Sequence, residues 1–329
     1  MSEYSLFVGI DVSKAWLDLC CFTPSNGTLS SVQIANTPAA IRAYIASLDC
    51  DTSQILFCLE HTGRYSNTFL EASSALNLNS WLEHPLQIKR SQGMQRGKTD
   101  QLDAERIALY AHRFQDKAVL YHPSSQQITA LKKLQSKRDL LVKMQGQIKQ
   151  SLEDKNDDDF TGSVQAIAKD IEAIERKIQQ VINSDPDLAN QDQLLKSIPG
   201  IGDVLSTTLI TVTQGFTCFD DPRKLACYAG IAPFPYRSGK SIQYRDRVSK
   251  LGNQRLKMLL NLAAWNAIRS VEHLKQYYQR KVNEGKAKLS AINAIRNKLV
   301  AIIMAVIKRN QPFSKDYSVH NVWLCHRNP

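Results

Sequence analysis

Apolar positions follow two different rhythms along the chain. In the first third, short apolar runs alternate with turn residues. Tyr4 to Asp11 (YSLFVGID), Trp16 to Phe22 and Ser31 to Ala35 (SVQIA) predict three strands, and Gln54 to Glu60 (QILFCLE) a fourth. Thr37-Pro38 predicts a helix start, with Thr37 as N-cap and Pro38 at the first helical position, running to about Leu48. Tyr65 to Leu76 predicts a second helix. Gln87 to Lys98 (QIKRSQGMQRGK), with two glycines and four basic residues, predicts a loop; helix resumes at Thr99 or Asp100 and runs through ALYAHRFQ.

From Ser124 the rhythm changes to that of long amphipathic helices. Leu134, Leu141 and Ile148 recur every seven residues. After the polar break DKNDDDFTGS, Val164, Ile167, Ile171, Ile174, Ile178 and Val181 follow at spacings of 3, 4, 3, 4 and 3, a heptad seam. Two antiparallel helices joined at an acidic tip are expected, either as an intramolecular hairpin or as an oligomerisation arm. Beyond Ser184-Asp185-Pro186, helices are expected over 191–215, 219–230, about 251–270, 272–283 and 289–309, with an irregular segment from Ala232 to Lys250.

The fold class is therefore α/β plus α, in three domains: 1–122, the helical hairpin 123–186, and a mainly helical 187–329. Three strands, then helix, strand and helix is the order of a ribonuclease-H-like fold, a mixed sheet covered by helices.

Charge sharpens this division. The 329 residues carry a formal net charge of +11. Residues 1–110 hold 8 Lys+Arg against 11 Asp+Glu, whereas 223–309 hold 19 against three acids, Asp246, Glu272 and Glu284. So one-sided a stretch points to a polyanionic partner, because released counterions drive nucleic-acid binding. The longest apolar run, Leu299 to Ile307, is far short of the ~18–20 residues of a membrane span. Seven scattered cysteines form no disulfide framework, and Cys20, Cys21 and Cys58 fall in strand patterns as core thiols. No signal peptide is evident, so a soluble, cytoplasmic, DNA-associated protein without membrane contact is expected.

Candidate chemistry sits first in carboxylates. Asp11 ends one apolar strand in GIDVSK, and Glu60 ends another in CLEHTG. Asp100 and Asp103 are three apart, so both project from one face of a helix's first turn. Such acids also cap a helix and favour its dipole, which is the plainer reading of the pair. Together the four can hold two Mg²⁺ ions about 4 Å apart, enough to activate an attacking oxygen and stabilise a leaving one on a phosphodiester. His61, beside Glu60, either tunes such a site or packs.

GIDVSK, EHTGRY and KTDQLDA stand in the order and spacing of the DEDD insertion-sequence transposases, and the chain resembles that family along essentially its whole length. The family includes bridge-RNA-guided serine recombinases and pilin-gene invertases, and its N-terminal domain is RuvC-like. The resemblance implies metal-binding roles for Asp11, Glu60, Asp100 and Asp103.

Two C-terminal features extend it. Ser197-Ile198-Pro199-Gly200-Ile201-Gly202 is either a tight turn between helices or a phosphate cradle, in which Gly200 and Gly202 let backbone N–H groups face a nucleic acid. After Tyr228-Ala229-Gly230-Ile231-Ala232-Pro233 comes Tyr236-Arg237-Ser238-Gly239-Lys240-Ser241. By chemistry alone Ser238 is either an ordinary loop serine or a nucleophile, with Arg237, Lys240, Arg245 and Arg247 offsetting charge in the transition state. The family resemblance places its DNA-attacking serine on Ser238 and leaves Ser241 as the lesser candidate. Trp265 reads as helix core, while Tyr277 and Tyr278 either stack on bases or pack.

The resemblance implies a DNA recombinase that forms a phosphoserine intermediate with Mg²⁺ held by the DEDD acids. It further implies a dimer or tetramer with composite active sites, and a noncoding bridge RNA as guide. The alternatives are an invertase without an RNA guide, a metal-dependent junction nuclease that uses water, and a non-catalytic nucleic-acid-binding protein.

Overall fold

The computed structural model describes residues 4–61, 63–93, 97, 99–153, 161–238 and 242–314; the side chains of 152–153, 236–238 and 242–245 are not part of that description. The chain forms two compact units that divide between Pro123 and Ser124.

The first unit is a five-stranded mixed sheet in the order β3-β2-β1-β4-β5. Strands β1 (Leu6–Val12), β2 (Trp16–Thr23) and β3 (Thr28–Ala35) form an antiparallel meander. Strands β4 (Ile55–Glu60) and β5 (Asn79–Glu83) then add in parallel. Alternation assigns the two faces. Val8, Ile10, Leu17, Leu19, Ile55, Phe57 and Leu59 are buried under α1 (Pro38–Ala46) and α2 (Asn67–Ala75). On the other face Phe7, Leu56, Cys58 and Trp81 are buried under α3 (Pro85–Ser91) and α4 (Asp100–Arg113). Each such buried side chain contributes roughly 1.5–3 kcal/mol relative to exposure.

Sequence signals set the boundaries of these elements. The Thr37 hydroxyl accepts from the Ala40 N–H at the start of α1, as its N-cap position predicts, and the Thr99 hydroxyl accepts from Leu102 at the start of α4. Two elements depart from expectation. The segment expected to be a loop from Gln87 opens inside α3, because His84 Nδ1 caps Leu86, Pro85 fixes the first turn, and Ile88 is buried. Strand β5 is too short and mixed, as NSWLE, to stand out, yet its Trp81 is buried against Tyr110.

The second unit is mostly helical. Helices α5 (Gln126–Glu153) and α6 (Thr161–Asn183) lie antiparallel, as the Arg138–Glu175 ion pair (2.7 Å) and the Gln145 amide bonded to the Val164 carbonyl (3.2 Å) require. The heptad seam faces inward. Ile171 and Ile178 are buried, and the base of the hairpin, with Ile128, Leu131 and Ile182, joins the core of this unit.

Around that base pack α7 (Pro186–Lys196), α8 (Asp203–Thr213), α9 (Pro222–Tyr228), α10 (Gln254–Ser270), α11 (Glu272–Asn283) and α12 (Lys288–Arg309). The single helix expected over 191–215 is two, α7 and α8, broken at Pro199-Gly200. Helix α12 is long and apolar enough to match a membrane span by composition, but Ile292, Ile295, Leu299, Val300 and Ile303 are buried in the unit's core. The segment expected to be irregular is a two-stranded ribbon, β6 (Pro233–Ser238) and β7 (Ile242–Val248), with a bulge between Phe234 and Tyr236. Alternating residues such as Ile242, Tyr244 and Val248 gave β7 a strand pattern that its charges obscured.

Candidate active site

Three elements of the first unit bring the four predicted carboxylates to one patch. Asp11 lies near the C-terminal end of β1, and Ile10 pairs with Leu59, which puts Asp11 in step with Glu60 on β4. Both belong to the face that carries Phe7, Leu56 and Cys58, the face α4 covers. Helix α4 lies unusually close to β1 because Gly9 has no side chain. A Cβ on Gly9 would sit 2.2 Å from both the Ala104 carbonyl oxygen and the Ala108 amide nitrogen. That contact sets the first turn of α4, with Asp100 and Asp103, over the end of β1.

The electrostatics register the convergence. The Asp11 carboxyl is pushed up to about 6 by burial first, then by Asp100, Asp103 and Glu60; its acceptance of the Val12 N–H (3.0 Å) works the other way. Asp103 is partly neutralised within its own helix. Arg106 Nη1 donates to its Oδ1 at 2.8 Å, and Arg106 Nη2 donates to the Gly97 carbonyl. Among the described residues no three acidic, histidine or cysteine side chains stand close enough to ligate one ion as they are placed. The donor set nonetheless fits a hard divalent cation: all oxygen and negative, with Asp11, Glu60 and Asp103 partly buried and Asp100 exposed. Arg106 engages only one of the two Asp103 oxygens, Oδ1.

The sheet extends this row beyond the expected four. Asp18 on β2 is the direct partner of Asp11, and Glu83 on β5 the direct partner of Glu60. Both were missed in the sequence. Their signal was an acid on the alternate face of a strand, and reading it needs the strand order. Asp18 is held toward Gln33, whose amide donates to it at 3.0 Å. Glu83 accepts the Tyr110 hydroxyl at 3.0 Å and the His84 N–H at 2.6 Å, tying β5 to α4. Burial and Glu83 push the Tyr110 hydroxyl up, and burial, Glu83 and Glu60 raise the Cys58 thiol, which therefore stays protonated. His61 is exposed, its backbone N–H bonded to the Glu83 carbonyl.

The remaining predicted residues lie in the second unit. Ser238 is the last residue of β6, with its backbone opposite Ile242; Arg237 pairs with Gln243, and Arg245 and Arg247 belong to β7. Arg247 is exposed. Lys240 and Ser241 lie outside the described residues, as does the Ser238 side chain.

At the Pro199–Gly202 turn, Gly200 has φ of +93°, and a Cβ there would come within 2.5 Å of the Ala263 carbonyl, so its smallness serves packing against α10. Gly202, the N-cap of α8, faces open space. A groove of about 670 Å³ runs past both glycines and is lined by Arg138, Arg176 and Arg255. Arg138 and Arg255 are paired with Glu175 and Asp139. Trp265 is partly exposed, in edge contact with Tyr278 at 6.0 Å, and Tyr277 and Tyr278 pack at the margin of the core.

A carboxylate patch at the ends of parallel strands, together with a second unit that carries most of the positive charge, defines an enzyme that handles polyanions. Family models match both parts of the chain: residues 8–155 match a DEDD transposase model, and residues 192–279 match the transposase IS116/IS110/IS902 family. The chain belongs to this transposase family. It is 29% identical over 321 residues to the pilin gene-inverting protein of Moraxella lacunata, a match spanning 94% of this chain and 98% of that protein. The corresponding protein of Moraxella bovis is 28% identical over the same length. A 44.8 kDa protein of insertion element IS116 from Streptomyces clavuligerus is 24% identical over 156 residues, 47% of this chain and 38% of that protein.

Proposed function

We propose that this enzyme is a DNA recombinase that cuts and rejoins phosphodiesters through Ser238, assisted by a RuvC-like domain in which Asp11, Glu60, Asp100 and Asp103 hold Mg²⁺, two ions per site. The observation that carries the reading is the convergence of those four acids, with Asp11 raised by burial and then by the other three. Bound there, Mg²⁺ would supply Lewis-acid charge to the phosphate.

The chain's own residues do the rest. The Ser238 Oγ–phosphorus bond forms as a phosphorus–oxygen bond to deoxyribose breaks, and the serine proton ends on the departing oxygen. A hydroxyl of the new strand then reverses the step and frees the serine. Arg237, Lys240, Arg245 and Arg247 offset the added negative charge, and the Gly200–Gly202 turn holds phosphate backbone. The α5–α6 hairpin joins copies into a dimer or tetramer in which the acids and the serine come from different protomers. A noncoding bridge RNA selects the DNA by base pairing, while the protein reads shape.

A second reading keeps the chemistry and drops the RNA: a site-specific DNA invertase. Similarity to the pilin gene-inverting proteins over nearly the whole chain favours it. Sequencing the nucleic acid that co-purifies separates the two, since the guided reading requires one defined RNA. Replacing Asp11 with Asn tests the common core. Loss of Mg²⁺-dependent strand exchange is expected, and full activity would defeat the four-carboxylate model.

A further inference from the structure

A second concentration of unbalanced charge sits where α11 packs on α12. Three cations converge on the ring of Tyr277: Lys298 Nζ at 4.3 Å from its centroid, Arg280 Cζ at 5.3 Å and Lys281 Nζ at 5.9 Å. One carboxylate serves the group. Glu284 pairs with Lys281 at 2.5 Å and with Arg280 at 3.7 Å. Lys298 has no ion-pair partner among the described residues, and α12, which carries it, has five Lys and Arg and no acid in its 22 residues. Like charges gathered this closely repel, and the negative face of one aromatic ring offsets that only in part.

A merely solvated lysine would extend into water. Lys298 instead lies half-buried against Tyr277, where burial and then Arg280 lower its proton affinity. Burial and then the Lys298 charge depress His273, so that neighbour adds no further positive charge near neutral pH. The arrangement is a cationic seat whose three positive charges are met by one carboxylate, Glu284.

We propose that Lys298, Arg280 and Lys281, gathered on the Tyr277 ring, form a docking site for the phosphodiester backbone of a nucleic-acid strand. The ligand class rests on the recombinase reading; the site itself rests on the geometry of α11 and α12. Cations on two helices around one ring fix a backbone in place without reading its sequence, and so add affinity and orientation rather than specificity.

The test is fluorescence anisotropy of the full chain with labelled duplex DNA, single-stranded DNA and RNA of equal length, titrated across salt concentration. Lys298→Met keeps the apolar stem and removes the charge; Arg280→Gln removes a second. Each is expected to weaken binding several-fold and to lower the slope of log affinity against log salt by about one. Lys298→Arg is expected to retain both. A loss confined to one of the three ligands identifies the strand that docks. An unchanged slope in both charge-removing variants, or an equal loss in Lys298→Arg, overturns the site while leaving the recombinase reading intact. A wild-type chain that binds none of the three ligands in a salt-dependent way overturns both.

Discussion

Gly9 on β1 and Ala104 on α4 meet so closely that a single methyl group on the glycine would lie 2.2 Å from the alanine's carbonyl oxygen. Gly9 is two residues before Asp11, and Ala104 is one residue after Asp103. The contact therefore sets the spacing between the strand carboxylate and the helix carboxylates. Gly9→Ala must push α4 off the sheet, since the obstructing atoms are backbone and cannot rotate away. A loss of about 2–3 kcal/mol in denaturant stability is expected. The Asp11 proton affinity, followed by NMR, should fall toward that of an ordinary aspartate as Asp100 and Asp103 recede.

Asp11 supplies a pH signature. Its carboxyl is raised in the folded protein from 3.8 to about 6, so the folded state favours the protonated form and ionisation destabilises it. That penalty is absent near pH 3.5, grows between about pH 4 and 6, and is fully present at pH 7.5. Asp11→Asn removes it. The variant is expected to melt at a higher temperature than wild type at pH 7.5, with the difference vanishing near pH 4. Added Mg²⁺ should narrow the gap at pH 7.5 by stabilising wild type alone. A gap that is constant with pH would show that Asp11 is not held in a repulsive cluster.

Arg106 is ion-paired with Asp103, and on the proposed function a cation would compete with it for that carboxylate. Arg106→Gln is expected to cost about 1 kcal/mol of stability without metal and to tighten Mg²⁺ binding several-fold by titration calorimetry. Weaker binding would mean that Arg106 supports the ligand geometry rather than opposing it.

The Tyr110 hydroxyl bonded to Glu83 ties α4 to β5. Tyr110→Phe leaves a carboxylate short of one partner and should cost about 1–2 kcal/mol. Because α4 carries Asp100 and Asp103, the variant should also bind Mg²⁺ more weakly; unaltered binding would restrict the pair to stability.

On α5, Leu140 is 58% exposed and Met144 42% exposed, four residues apart and therefore on one side of the helix. If the hairpin joins copies, Leu140→Glu with Met144→Glu should lower the mass measured by light scattering while circular dichroism stays unchanged. An unaltered mass would place the assembly contact elsewhere.

How far these features were legible differs by element, for physical reasons. Strand ends at Asp11 and Glu60, the cap at Thr37 and the seam from Val164 to Val181 are local signals, carried by period, turn residues and capping. All appear in the structure close to where the sequence puts them. Strand β5 and the ribbon β6–β7 were hidden, because NSWLE is short and the ribbon's alternation is interrupted by arginines and a bulge. Asp18 and Glu83 could not be assigned without strand order, since only pairing in the sheet sets them beside Asp11 and Glu60. The glycine at position 9 reads from sequence as part of a strand; its role is visible only once α4 is laid across it.

Covalent capture of DNA tests the central claim most directly. Wild type, Asp11→Asn, Ser238→Ala and Ser241→Ala are incubated with cleavable DNA and Mg²⁺, denatured, and examined by mass spectrometry for DNA attached to protein. A phosphoserine adduct at Ser238 is expected in wild type and in Ser241→Ala, none in Ser238→Ala, and little in Asp11→Asn. Cleavage that proceeds undiminished in Ser238→Ala, with no adduct lost, would contradict that claim and leave water as the nucleophile.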